Sequence, residues 1–312
     1  MRRSSILLVV AVLTALPPWP QAAAQEQAPE QERPQAVFRS SVNLVSMAAI
    51  VRDKRGKVVP SLTREDFEII DGGQSRPLLD LRTEQGAPAS VALLVDGSGS
   101  MKVGFSADAA LRVSNAILGS MDRTRDDAAL YSFDTRLLTI KSFTSDLKAV
   151  GGALSEVESW GSTSLYDAIA GTAGIVAKRT ANRRAVVVLT DGADTTSSYT
   201  PDKVAEVASG VDVPVYVVIW DARPPESRAT FETARLSEMG RLAELTGGRL
   251  FIAGDHPSMN YAITTLLEEL RHQYVLAFEA APNGGWRSVQ VRTKKKGLQV
   301  RTRAWYLAGS AD

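Results

Sequence analysis

A short apolar run that ends in a carboxylate constrains this chain more than any other feature. Val91–Val95 is predicted to be a strand buried on both faces, because it is apolar throughout and is followed by turn residues. The next residues are Asp96-Gly97-Ser98-Gly99-Ser100, whose glycines permit a tight turn that aims the side-chain oxygens at one point. Oxygen donors of this kind suit a hard cation such as Mg²⁺ or Mn²⁺. The sequence therefore predicts a metal site, formed in part by Asp96, Ser98 and Ser100, at the sheet edge where open α/β proteins bind ligands.

Two later segments supply oxygens at the same edge. Thr163 immediately precedes a predicted helix, and Asp191 directly follows another apolar strand. Ser164 and Asp167 have the spacing of a capping box, so Ser164 is predicted to cap the helix while the Thr163 hydroxyl serves another role. Asp194 is interpreted as a solvated loop residue in preference to the alternative, an acid that supports the metal ligands from behind. The candidate metal ligands are therefore Asp96, Ser98, Ser100, Thr163 and Asp191.

Residues 89–273 alternate apolar strands with amphipathic helices. This order predicts an α/β fold, doubly wound, with a mostly parallel sheet and helices on both faces. The link Asp134–Arg136 is too short for a parallel crossover, so Leu137–Ile140 is predicted to be an antiparallel edge strand. Leu147–Val157 is predicted to be a helix interrupted by two glycines.

The segments on either side of this region carry strand-and-turn patterns. They cover residues 37–84 and 274–308, and the second includes a predicted strand Leu298–Tyr306. Two or three lone strands bury too little apolar surface to be stable. We therefore predict that the two segments pack together as a small antiparallel β module.

The first residues of the chain have the pattern of an export signal. Two arginines precede a short apolar run, and Ala22-Ala23-Ala24 supplies a small-residue cleavage site. Residues 1–24 are predicted to be a signal peptide cleaved after Ala24, so that the mature protein is periplasmic or secreted and has no transmembrane segment. Residues 25–36 are rich in Gln, Glu and Pro and are predicted to form a disordered linker.

Composition excludes several kinds of chemistry. The 312 residues include no cysteine and two histidines, which excludes disulfides and cysteine-based zinc sites and disfavours a histidine-rich zinc centre. The net charge is +1, so no overall field favours nucleic acid. The tail from Trp286 to Tyr306 is locally basic, and alternation along strands favours a solvated sheet face over a patch that binds nucleic acid or an anionic surface.

The candidate ligands also carry a resemblance to a known family. The sequences Asp96-Gly-Ser98-Gly-Ser100, Gly161-Ser162-Thr163 and Leu189-Thr190-Asp191-Gly192 resemble, in this order, the metal-ion-dependent adhesion site of von Willebrand factor type A domains. The resemblance implies that the serine and threonine hydroxyls bind the metal directly and that the aspartates act partly through water. It also implies one open coordination position, which a partner protein fills with a carboxylate.

Three flanking motifs extend the resemblance over nearly the whole mature chain. Leu62–Glu68, Leu242–Arg249 and Leu270–Tyr274 resemble a bacterial exported subgroup in which β segments flank such a domain. The interpretation that follows is a non-enzymatic adhesion module that binds a protein ligand through Mg²⁺ or Mn²⁺.

Two other functions remain open at this point. One is a metal-independent extracytoplasmic scaffold whose β segments make the contacts. The other is a Mg²⁺-dependent hydrolase with Asp96 as nucleophile. Phosphatases of that type place a second carboxylate two positions later, where this chain has Ser98, and no G-x-S-x-G elbow surrounds either serine. The residues therefore favour a binding protein over an enzyme.

Overall fold

The computed structural model describes residues 44–83, 86–102, 106–158, 161–181, 183–221, 230–282 and 284–309. Within these ranges, the side chains of Ser100, Lys102, Ser106, Ala107 and residues 230–232 are not described. The predicted signal peptide over residues 1–24 and the predicted linker over residues 25–36 lie outside the described residues. Among the helices in the described ranges, none is both long enough and apolar enough to cross a bilayer.

Strands and helices alternate through the middle of the chain, and strands predominate at both ends. The strands are β1 Leu44–Asp53, β2 Phe67–Asp71, β3 Gln74–Arg76, β4 Leu78–Thr83, β5 Ala89–Asp96, β6 Asp127–Phe133, β7 Leu137–Thr144, β8 Arg183–Thr190, β9 Val215–Trp220, β10 Leu250–Ala253, β11 Tyr274–Glu279, β12 Gly285–Thr293, β13 Leu298–Thr302 and β14 Trp305–Ala308. The helices are α1 Ser106–Ser120, α2 Leu147–Gly152, α3 Leu165–Val176, α4 Pro201–Gly210, α5 Thr230–Leu245 and α6 His256–Arg271.

A six-stranded sheet forms the centre of the fold. Its strand order is β10-β9-β8-β5-β6-β7, and β5 pairs in parallel with both β6 and β8. All eight residues of β5 are buried, which explains its continuous apolar sequence. At the edge, β7 runs antiparallel to β6, which confirms the prediction made from the short Asp134–Arg136 link.

Helices cover both faces of this sheet, as predicted. On one face, Leu93 of β5 belongs to a buried cluster with Val113 of α1 and Leu266 of α6. On the other face, Leu94 packs in a cluster with Ile169 of α3, and α4 and α5 also contribute to that cluster. Successive residues of β5 therefore enter opposite cores. The α/β, mostly parallel architecture is confirmed.

Strands from both ends of the chain form a separate β module, also as predicted. Its two antiparallel sheets have the orders β13-β1-β11-β4 and β14-β12-β2-β3. In the first sheet, β1 lies between β11 and β13 and pairs with both. A core shared by the two sheets includes Met47, Ile69, Leu276, Phe278 and Tyr306.

The predicted strand Leu298–Tyr306 is wrong, because the chain leaves one sheet for the other within it. β13 pairs with β1, whereas β14 pairs with β12. Between them, Arg303 is buried and donates to the carbonyls of Ser209 at 2.6 Å and Ser46 at 2.7 Å. The Ala304 amide donates to the Leu245 carbonyl at 2.9 Å. These contacts with the α/β part of the fold interrupt the ladder.

The interpretation of the basic tail as a solvated sheet face is wrong for three of its arginines. Arg287 pairs with the buried Asp71 at 2.8 Å, Arg303 pairs with Asp212 at 3.3 Å, and Arg301 pairs with a buried glutamate of α6. Arg287 joins two neighbouring strands of one sheet, whereas Arg301 and Arg303 join the β module to the α/β part of the fold.

Two glycines divide the predicted helix Leu147–Val157. α2 ends at Gly152, and the chain continues as a 3-10 turn over Ala153–Glu156. Glycine is a poor helix former because it loses more backbone entropy than other residues. The turn brings Leu154 into the core beneath the loop that follows β5.

Candidate metal centre

The Asp96 carboxylate lies at the end of β5 and is almost completely buried, with 1% of the residue exposed. One oxygen, Oδ1, accepts a hydrogen bond from the Ser98 amide at 2.8 Å. The other, Oδ2, accepts from the Thr190 hydroxyl at 2.5 Å. The Thr190 hydroxyl in turn accepts from the Gly192 amide at 2.9 Å. Thr190 therefore ties the loop after β5 to the loop after β8.

Gly97 lets the loop after β5 pass close to the end of β6. Its amide donates to the Phe133 carbonyl at 2.7 Å. A Cβ atom at this position would lie 2.7 Å from the Ser132 hydroxyl and 2.8 Å from the Glu158 carbonyl. A side chain at Gly97 would therefore push the loop away from the sheet, and Asp96 and Ser98 with it.

The segment that carries Thr163 is fixed through its backbone. The Thr163 carbonyl accepts from the amides of Thr195 at 2.9 Å and Thr196 at 3.1 Å, and its amide donates to the Thr195 hydroxyl at 2.9 Å. The Thr163 side chain is buried, and its hydroxyl makes no hydrogen bond to another described residue. That hydroxyl is consequently available to a ligand. A 3.5 Å contact between the Gly99 amide and the Gly161 carbonyl joins this segment to the loop after β5.

The start of α3 is capped differently from the prediction. Ser164 occupies the N-cap position, but its hydroxyl pairs with that of Thr196 at 2.8 Å and does not cap the helix. The Leu165 amide instead donates to Asp194 Oδ1 at 2.8 Å. The predicted capping box is therefore wrong, and so is the interpretation of Asp194 as a solvated loop residue.

Asp167, the other member of the predicted capping box, also bonds to the loop after β8. Its carboxylate accepts from the amides of Ser198 at 2.9 Å and Tyr199 at 2.8 Å. The Ser197 hydroxyl accepts from the Tyr166 amide at 3.0 Å. The run of hydroxyl residues after Asp194 could have predicted that this loop caps the start of α3, because such side chains readily cap helix ends.

The electrostatics of the site are those of a carboxylate without a cationic side chain. Burial raises the pKa of the Asp96 carboxyl to about 6, the hydrogen bonds from Thr190 and Ser98 lower it, and the charge of Asp191 raises it. Asp191 itself accepts from the Ala193 amide at 2.9 Å. No arginine, lysine or histidine in the described ranges contributes to the pKa shift of Asp96. Buried charges in proteins are usually paired or bound to metals.

The donor set of the site fits a hard cation. It combines the carboxylates of Asp96 and Asp191 with the hydroxyls of Ser98 and Thr163, and all of these donors are oxygens, as Mg²⁺ and Mn²⁺ prefer. The fifth candidate, Ser100, lies in a 3-10 turn over Gly99–Lys102, and its side chain lies outside the described residues. In the described ranges, no group of three or more His, Cys, Asp or Glu side chains is arranged to hold a metal. A metal here would therefore depend on the hydroxyls.

Comparison with known proteins identifies the domain that carries this site. Residues 91–193 match the family model of the von Willebrand factor type A domain. A search of curated proteins finds no match.

Three solved structures are among those to which this chain is similar. A von Willebrand factor type A protein from Catenulispora acidiphila is 12% identical over 88% of this chain and 76% of its own, with a TM-score of 0.47. BatB from Bacteroides thetaiotaomicron is 16% identical over 58% of this chain and 98% of its own, with a TM-score of 0.46. The PilB minor pilin from Streptococcus sanguinis is 12% identical over 60% of this chain and 62% of its own, with a TM-score of 0.44.

The family match spans the end of β5, the start of α3 and the end of β8, which are the three segments that supply the candidate ligands. The sheet order and the helices on both faces agree with it. This chain is therefore a protein with a von Willebrand factor type A domain.

Proposed function

We propose that the protein binds a partner protein through a divalent cation held by Asp96, Ser98, Ser100, Thr163 and Asp191. A von Willebrand factor type A domain indicates a role in protein–protein interaction or as a scaffold, and the proposal specifies the chemistry of that interaction. One observation carries it: among the described residues, the buried Asp96 carboxylate at the end of β5 accepts hydrogen bonds from neutral groups, and the loop that follows is joined to the segment of Thr163, whose hydroxyl bonds to no described residue.

Each ligand has a defined part in this proposal. The hydroxyls of Ser98, Ser100 and Thr163 would bind the cation directly, while Asp96 and Asp191 would act partly through water. A bound Mg²⁺ or Mn²⁺ supplies a positive charge that attracts a carboxylate from outside. Because the groups that bind the cation directly are neutral hydroxyls and the two carboxylates act partly through water, an anionic group can still bind favourably at the open coordination position. The partner is therefore expected to present an aspartate or glutamate.

The geometry of Asp96 speaks against the hydrolase hypothesis. A nucleophilic carboxylate needs an oxygen that can reach the substrate. Both oxygens of Asp96 accept hydrogen bonds, and 1% of the residue is exposed. We therefore propose a binding protein and not an enzyme. The metal-independent scaffold remains the competing function, and the next experiment separates the two.

Replacing Thr163 by valine is expected to abolish metal binding without weakening the metal-free fold. Valine keeps the shape of the side chain and removes a hydroxyl that no described residue bonds. Wild-type residues 25–312 should unfold at a higher midpoint in Mg²⁺ or Mn²⁺, because a ligand at one hundred times its Kd stabilises the folded state by about 2.7 kcal/mol. The variant should show the wild-type midpoint in chelator and no rise with metal. Thermal unfolding followed by fluorescence measures both.

Thr139→Val is the matched control, since Thr139 lies exposed on the edge strand β7. It should keep the full response to metal. A wild-type protein that does not respond to metal would favour the metal-independent scaffold, and a response retained in Thr163→Val would remove Thr163 from the ligand set.

We also propose that the protein is exported, on the basis of its first residues. The arginine pair, the apolar run and the alanines before Gln25 form the pattern that signal peptidase recognises. When the full chain is expressed in a Gram-negative host, the periplasmic or secreted fraction should contain protein whose mass begins at Gln25. Intact-protein mass spectrometry checks this. Protein that retains Met1 in the cytoplasmic fraction alone would contradict export.

A further inference from the structure

A cleft of about 620 Å³ lies where the β module meets the α/β part of the fold, away from the candidate metal centre. Four arginines line it: Arg52 of β1, Arg249 just before β10, Arg292 of β12 and Arg301 of β13. We call it the arginine cleft. It unites two sequence features that the proposed function leaves unexplained, namely the basic tail and the motif Leu242–Arg249.

One buried carboxylate serves several of these arginines. Glu269 of α6 is 0% exposed. It pairs with Arg52 at 3.1 Å and with Arg301, and the Nε atom of Arg249 lies 3.9 Å from it. A second carboxylate, Glu268, lies 3.4 Å from Arg52 and is 43% exposed. Three guanidiniums thus share one buried and one exposed carboxylate, which leaves positive charge in excess.

Two of the arginines have guanidinium N–H groups for which no described residue serves as acceptor. Arg249 has a side chain that is 31% exposed, and no described residue accepts a hydrogen bond from it. Arg292 bonds to the side chain of Gln290, two residues away on the same strand, at 2.7 Å. Among the described residues that line the cleft, Glu244 is the one carboxylate, and Glu268 and Glu269 pair with its arginines. Four arginines against these three carboxylates leave the described part of the cleft with one positive charge in excess, and the guanidiniums of Arg249 and Arg292 have donors open to a ligand.

The motif Leu242–Arg249 fixes the position of Arg249. Gly247 has a φ of +88°, and its carbonyl accepts from Arg301 Nε at 3.1 Å. The Arg249 carbonyl accepts from the Val217 amide at 2.9 Å. The backbone on both sides of Arg249 is consequently anchored, and the arginine borders the cleft on a rigid segment.

We propose that the arginine cleft binds a small polyanion, a molecule with two or more negative charges on phosphate or carboxylate groups. A guanidinium presents a planar fork of donors that matches either group with two parallel hydrogen bonds. The volume lies in the range of small-molecule sites and exceeds what a simple inorganic ion needs. The proposal does not rest on the metal centre.

Titration of metal-free protein with pyrophosphate and with citrate tests the proposal. Residues 25–312 are freed of metal on a chelating resin, so that the metal centre plays no part, and binding is measured by calorimetry at constant ionic strength. Saturable binding of one probe or both is expected. Pyrophosphate alone would identify a phosphate ligand, citrate alone a carboxylate ligand, and both the shared oxyanion chemistry.

Variants that each remove one positive charge test whether the anion binds in the arginine cleft. Arg249→Gln and Arg292→Gln should each weaken it on the order of tenfold, because each variant removes a charge-assisted hydrogen bond to the anion. Arg241→Gln is the matched control: it removes an equal charge from an exposed pair with Asp202 outside the cleft and should bind as the wild type does. Circular dichroism verifies folding. Absence of saturable binding, or equal affinity in Arg249→Gln and wild type, would overturn the proposal.

Discussion

Replacing Glu269 by glutamine is expected to lower the free energy of unfolding by about 3–5 kcal/mol, the usual cost of removing one partner from a buried ion pair. Arg301 would lose its carboxylate partner, and the buried Arg52 would keep the partly exposed Glu268 in place of a buried one. Glutamine has nearly the same volume, so the loss would come from charge and not from packing. Equilibrium urea denaturation of residues 25–312 measures the change.

Glu268→Gln is the matched control, because Glu268 is the adjacent residue of α6 and also pairs with Arg52. Its carboxylate is 43% exposed, and exposed pairs contribute about 0–1 kcal/mol. If the two variants lost equal stability, burial of Glu269 would not be the cause. The comparison also tests how firmly α6 is attached to the β module, because Arg52 and Arg301 belong to β1 and β13.

Replacing Gly248 by alanine is expected to cost about 3 kcal/mol or more, the upper end for overpacking a core. A Cβ atom there would lie 1.9 Å from the Val215 carbonyl oxygen and 2.5 Å from its carbon. Both are backbone atoms of β9, so no side-chain rotation relieves the clash. The start of β9 would have to move away from the motif Leu242–Arg249. Thermal unfolding should show a large fall in midpoint.

Gly240→Ala is the matched control for Gly248→Ala, and we expect it to raise stability slightly where Gly248→Ala lowers it. Gly240 lies in α5, and a Cβ atom there would have as its nearest neighbour a methyl group of Leu250 at 3.7 Å, an ordinary contact. Alanine in a helix interior is favoured over glycine by roughly 0.5–1 kcal/mol, so this variant should be slightly more stable than wild type. A Gly248→Ala protein as stable as Gly240→Ala would show that β9 can shift freely.

Local pattern was sufficient to predict the central sheet. The run Val91–Val95 is apolar because both of its faces are buried, and that property is visible in sequence without knowledge of any partner. The edge strand β7 was predictable because a three-residue link leaves one geometric solution. The ends of β5 and β8 followed from these assignments, which is why Asp96 and Asp191 were assigned to one edge of the sheet.

Contacts between segments that are distant in sequence could not be predicted from the local pattern. Ser164 has the right spacing to cap α3, yet Asp194 makes the bond, because the loop after β8 folds back onto the helix start. Likewise, Arg301 and Arg303 alternate as solvated residues would, yet Arg301 pairs with Glu269 of α6 and Arg303 pairs with Asp212 in the loop after α4. Spacing predicts which bonds are possible locally, and it does not reveal a competing partner from elsewhere in the chain.

The position of β1 between β11 and β13 determines when, during synthesis of the chain, the β module can finish folding. The first strand of the β module to leave the ribosome pairs with strands that are among the last, since Leu44 faces Glu279 and Ile50 faces Arg301. The strand β1 therefore has neither of these partner strands, and its apolar side chains stay unburied by them, until the whole α/β part has been synthesised. Closing so long a loop is entropically costly and slow. Completion of the β module is thus expected to be the last folding event, and a nascent chain that ends before Leu298 would lack β13, one of the two strands that pair with β1.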